Sequence, residues 1–106
     1  MIKSIKFATR ALAIIASSGA IAGKLESCKT IANAAEGIMD GRQNGTSAAE
    51  VYDRIEKGVK DKPAKNILML MVKEAYKTPK FSTNEYKNNA VSEFKNEYMI
   101  ACMAGE

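Results

Sequence analysis

Two cysteines, Cys28 and Cys102, stand near the two ends of the part of this chain that can fold, and the chain has no others. What they constrain depends on the compartment. In an exported chain an even cysteine count reads as a disulfide framework, and two cysteines allow a single pairing. Such a bond closes nearly the whole domain into one loop. It forces the first and last segments to lie side by side.

The export reading comes from the start of the chain. MIKSIKFATR carries Lys3, Lys6 and Arg10 and no acid, ALAIIA is a short apolar run, and SSGAIA brings Ala20-Ile21-Ala22. Basic, apolar, then small-x-small is the layout of a secretory signal peptide, with cleavage expected after Ala22. The apolar run is too short and too rich in Ala, Ser and Gly for a stable membrane span. The other reading of these residues is an amphipathic first helix. The expected organisation is a signal peptide over 1–22 and a disulfide-stapled domain over 23–106, periplasmic or secreted. Leu25-Glu26-Ser27-Cys28 loosely matches a lipoprotein processing site. However, Glu26 stands where a small or aliphatic residue is expected, and lipidation would leave Cys102 single, so the disulfide is the stronger expectation.

Export changes the charge argument. The chain has 16 basic and 12 acidic residues, net +4, and three of the basic residues fall in 1–22. Residues 23–106 therefore hold 13 basic and 12 acidic residues, net +1. No basic stripe with interleaved aromatics remains, so a nucleic-acid partner is not expected. A core built from 84 residues (106 less 22) is marginal without a staple.

Hydrophobic spacing predicts an all-α fold: four helices, bundle-like, with short loops. The first runs from about Leu25 to Asn44, with Cys28, Ile31, Ala32, Ala35, Ile38 and Met39 on one face, and Gly45 suits a left-handed residue just past its end. Gly37 and Gly41 weaken this helix or admit a close neighbour. The second opens on a capping box, Ser47 with Glu50, and ends at Gly58. The third, Pro63 to about Lys77, contains ILMLMV; it should be the central, most buried element, with Met39, Met69 and Met71 as adaptable filler. The last opens on Ser82 with Glu85, with Phe81 and Tyr86 as a hydrophobic staple, and carries Phe94, Tyr98 and Cys102 on one side.

Between the first two helices lies MDGRQNGTSAAE. Arg42 continues the stripe of Ala35, Ile38 and Met39, so it should be half-buried and need a carboxylate, with Glu74, Glu93 and Glu97 as candidates. It also suits the C-terminal end of the helix dipole. Gln43 and Asn44 should point outward, and Asn44-Gly45 is ordinary turn chemistry. The two readings of the Arg42-Gln43-Asn44 tip are a clasp between helices and a contact site for a partner.

RQNG followed by SxxE, then AYKTPKFSTNEY, then FKNEYMIAC, resembles a group of small exported two-cysteine proteins of bacteria and their phages. The shared residues are Arg42, Gln43 and Gly45, then Ala75, Tyr76, Pro79 and Phe81, then Phe94, Tyr98 and Cys102. More distantly, the plan is similar to phage periplasmic lysozyme inhibitors used in superinfection exclusion, and to periplasmic antiholins. That likeness implies a lysozyme-like enzyme as partner.

The chain has no His, which removes the usual general base and the commonest metal ligand. Its cysteines are committed to each other, and no Gly-rich phosphate loop or GxSxG occurs. Glu36/Asp40 and Glu93/Glu97 share helix faces at i,i+4 and in principle suit acid–base work or Ca²⁺. A solvated face balanced by Lys95 and its neighbours is the plainer reading. No enzyme activity, metal or cofactor is expected. The expected function is a non-enzymatic binding protein acting by contact on another periplasmic protein: an inhibitor, immunity or exclusion factor. Its surface would be Arg42, Gln43 and Asn44, joined by Lys80 and Tyr86 if the loops converge. The alternative is a stress chaperone or structural envelope protein that uses the Met-rich third helix.

Overall fold

The computed structural model describes residues 10–105, with side chains placed from Gly23 onward. The basic start of the expected signal peptide, with Lys3 and Lys6, lies outside the described residues. Four helices follow one another: α1 (Arg10–Gln43), α2 (Ala48–Gly58), α3 (Lys62–Ala75) and α4 (Asn84–Ala104). There is no strand among the described residues. α1 begins well before the expected Leu25, because nothing between Arg10 and Leu25 breaks a helix, and the expected cleavage position lies within it.

α1 and α4 form the main packed pair, α3 packs on α1, and α2 packs on α3. Three contacts hold the α1–α4 pair in antiparallel register. The Cys28–Cys102 disulfide closes one end, with Cα atoms 5.6 Å apart. Lys95 Nζ meets Glu36 Oε1 at 3.0 Å midway. Lys87 Nζ donates to the Gln43 carbonyl at 2.6 Å at the other end. Small residues on the facing sides, Ala32 and Ala35 on α1 and Ala90 on α4, let the helices approach. Met39, Met71, Ala75 and Phe94 complete the core beside them.

The structure corrects the role expected of α3. Only its last part is buried, through Met71, Val72 and Ala75. Ile67 and Leu70 remain 41% and 51% exposed, and Met69 is half-buried. The reason is geometric. The disulfide makes α1 and α4 the central pair, and α3 joins their core through Leu68, Met71 and Ala75, on one side of the helix. The ILMLMV stretch, apolar nearly all round, therefore keeps a wet side here.

The helix starts are one residue out in two places. α3 is capped by Asp61, whose Oδ2 accepts from Ala64 N at 3.0 Å, which puts Pro63 second in the helix rather than first. α4 is capped by Thr83 rather than Ser82, with Oγ1 accepting from Tyr86 N at 3.2 Å. Phe81 and Tyr86 still pack, ring centroids 6.1 Å apart, although not at the staple positions. Ser47 caps α2 as expected, accepting from Glu50 N at 3.1 Å; the Glu50 carboxylate pairs with Arg54 instead of returning to the cap.

Candidate functional site

α1 ends in a Schellman motif. Thr46 N donates to Gly41 O at 2.9 Å and Gly45 N to Arg42 O at 3.3 Å, with Gly45 at φ +92°. A residue with a Cβ is strained at that φ, so the glycine is what lets the chain turn straight from α1 toward α2. The turn leaves Arg42 and Gln43 on the last helical turn, facing the α3–α4 loop.

The two loops are then tied by side chains. Gln43 is 1% exposed, not outward as its position suggested. Its Nε2 donates to Pro79 O at 2.9 Å and its Oε1 accepts from Phe81 N at 2.8 Å. One amide thus pairs with a carbonyl and an N–H two residues apart, as a strand neighbour would. Nε2 also lies 3.6 Å from Met39 Sδ. Burial is affordable because both ends of the amide are satisfied.

Arg42 is half-buried, as its place on the stripe predicts, but its partner is not a carboxylate. Nε donates to Thr78 O at 2.9 Å, and the guanidinium sits over the Tyr76 ring, 5.3 Å from the centroid. A carbonyl and a ring face serve here because the helix end already lies against the Thr78–Phe81 stretch, while Glu74, Glu93 and Glu97 face elsewhere. Tyr76 in turn donates its hydroxyl to Thr46 O at 2.6 Å, closing the ring of contacts on the α1–α2 loop. Burial pushes the Tyr76 phenol above its ordinary value of 10.0, the Arg42 charge opposes the rise and Glu50 adds to it.

The result is a braced platform. Asn44 and Lys80 are exposed, and Lys80 Nζ lies 3.4 Å from where a Cβ on Gly45 would stand. Tyr86, 57% exposed, stands beside Phe81 on the same end. Of the five residues expected at a contact surface, three are thus presented to solvent. Arg42 and Gln43 hold the loops from beneath. Tyr76, Thr78, Pro79 and Lys87 are braces that periodicity could not reveal, since three of them act through main-chain carbonyls or a ring face.

Along α4, beside this platform, two clefts of about 660 Å³ and 360 Å³ adjoin. Both are lined by Thr78, Phe94 and Glu97, and Phe94 and Tyr98 pack edge to face with centroids 5.0 Å apart. The phenol of Tyr98 is pushed above 10.0, first by burial and then by the charges of Glu74 and Glu97. Lys95, expected to balance Glu93 and Glu97, turns instead to Glu36 on α1. Among the described residues no group of three His, Cys, Asp or Glu side chains is placed to hold a metal ion. Nor is any helix among them long and apolar enough to cross a membrane. No protein-family model, curated protein or solved structure matches this chain.

Proposed function

We propose that the chain is exported, trimmed after Ala22, and works in the periplasm as a non-enzymatic contact factor: an inhibitor, immunity or superinfection-exclusion protein acting on another envelope protein, with a lysozyme-like enzyme as the first candidate. The observation that carries this is the buried Gln43 amide tying the two loops into one surface. Loops ordered before binding lose less entropy on association than free ones. An exposed Tyr beside polar neighbours is the composition of a contact hot spot. The disulfide belongs to an oxidising compartment, which supports export.

The test is capture from periplasm with wild-type protein and with Asn44→Ala, Lys80→Ala and Tyr86→Ala, together with a muramidase assay. A specific partner retained by wild type and lost from the platform variants is expected, with the mature chain starting at Gly23. If no specific protein is retained and muramidase activity is unaffected, the reading fails. The second reading, a chaperone, has one observation in its favour: Ile67 and Leu70 are exposed on α3. A chaperone suppresses aggregation of unrelated unfolded proteins and loses that ability in Ile67→Ser/Leu70→Ser. A contact factor does neither.

A further inference from the structure

The adjoining clefts along α4 make one groove that meets the platform at Tyr86 and runs on along the helix to Ala101. Its wall is aromatic: Phe94 and Tyr98 on α4, with Phe81 and Tyr86 at the platform end. Its rim carries three carboxylates, Glu74, Glu93 and Glu97, against one cation, Lys77. Glu74 meets Lys77 at 3.4 Å. Among the described residues no cation lies within salt-bridge distance of Glu93 or Glu97. The groove is therefore locally negative on a domain whose overall balance over residues 23–106 is slightly positive, +1.

From Tyr86 to Ala101 the groove follows α4 for roughly 20 Å at about 1.5 Å per residue. That is the span of about six residues of extended chain. Glu93 and Glu97 are one turn apart, about 6 Å of rise. Alternate residues of an extended chain are about 6.6 Å apart and point to the same side. The two spacings match. Aromatic walls suit the long apolar stems of Arg and Lys, and ring faces attract their charged heads.

We propose that this groove binds an extended, basic segment of another protein, with Arg or Lys at alternate positions, one facing Glu93 and the next facing Glu97. This rests on the reading of the chain as a contact factor and names the chemistry of its partner. The platform and the groove open on adjoining surfaces, so one partner reaches both, its basic segment lying along α4.

The probes are labelled, acetylated hexapeptides titrated into the purified disulfide-bonded protein. Gly-Arg-Ser-Arg-Ser-Gly should bind, and Gly-Glu-Ser-Glu-Ser-Gly should not. The isomer Gly-Ser-Arg-Arg-Ser-Gly, with arginines on opposite sides, should bind several-fold more weakly. Glu93→Gln/Glu97→Gln should lower affinity for the first peptide about tenfold, and salt should weaken it. Amide resonance shifts should fall on α4 from Tyr86 to Ala101. Equal affinity for the two arginine isomers, or for wild type and the double variant, overturns the proposal. So does self-association of the wild type that the double variant abolishes, because a second copy is then the occupant. Peptide arms read the groove, whereas partner capture by Asn44→Ala and Lys80→Ala, which lie outside the groove lining, reads the contact function, so the two fail separately.

Discussion

Replacing Gln43 by Ala is the sharpest test of how the platform is held. The amide is buried and makes two hydrogen bonds, to Pro79 O at 2.9 Å and from Phe81 N at 2.8 Å. Ala removes both and leaves a carbonyl and an N–H without partners. Each orphan costs about 1–3 kcal/mol, toward the lower end here because the Pro79 and Phe81 groups are only partly buried and water can enter. The lost side-chain volume adds to this, for a total of about 2–4 kcal/mol. Gln43→Met keeps most of the volume but neither hydrogen bond, and should cost nearly as much. The assay is urea unfolding with tryptophan-free detection by far-ultraviolet circular dichroism. At a slope of about 2 kcal/mol per M, the midpoint should fall by about 1–2 M with the slope unchanged. Hydrogen exchange at the Phe81 amide should accelerate in both variants. Unfolding free energies for Gln43→Ala and Gln43→Met within about 0.5 kcal/mol of wild type would refute the brace.

Arg42→Ala should cost less than Gln43→Ala, about 1–2 kcal/mol, because it gives up a hydrogen bond and a ring contact but strands no buried carboxylate; urea midpoints compare the two directly. Cys28→Ser/Cys102→Ser opens a loop with a separation of 74 residues, and loop-closure entropy puts the loss at about 4–5 kcal/mol, read as a fall in melting temperature that added reductant reproduces in the wild type alone. Gly37→Ala should stabilise by about 0.5–1 kcal/mol, since a Cβ there meets nothing within 4 Å, while Gly45→Ala should destabilise by about 1–2 kcal/mol because its φ is +92°; thermal melts of both variants check the opposite signs. The phenols of Tyr76 and Tyr98 titrate above 10.0 when folded, so the stability they contribute is whole below pH 10 and is lost as pH rises through their folded values. Ultraviolet titration should show both ionising later in the native than in the unfolded chain, and Glu74→Gln/Glu97→Gln should bring Tyr98 earlier while leaving Tyr76 in place.

What the sequence determined by itself was local or covalent. Apolar spacing set the four helices, Gly45 marked the left-handed turn after α1, and Ser47 capped α2, because each depends on residues within a turn or two. Two cysteines in one chain left a single pairing, and that pairing forced α1 against α4. Even Arg42's half-burial followed from its stripe. Tertiary structure decided the partners. Arg42 met the Thr78 carbonyl and the Tyr76 ring rather than a carboxylate, and Gln43 turned inward, because the α3–α4 loop presents unpaired main-chain groups there that no side-chain pattern encodes. α3 kept a wet face although its ILMLMV stretch is apolar nearly all round, since the disulfide gave the central place to another helix pair. Lys95 went to Glu36, which left Glu93 and Glu97 free to line the groove. Periodicity states which face of a helix avoids water; which atoms that face meets is settled only when the other elements arrive, and at the two loops of this protein those atoms are backbone.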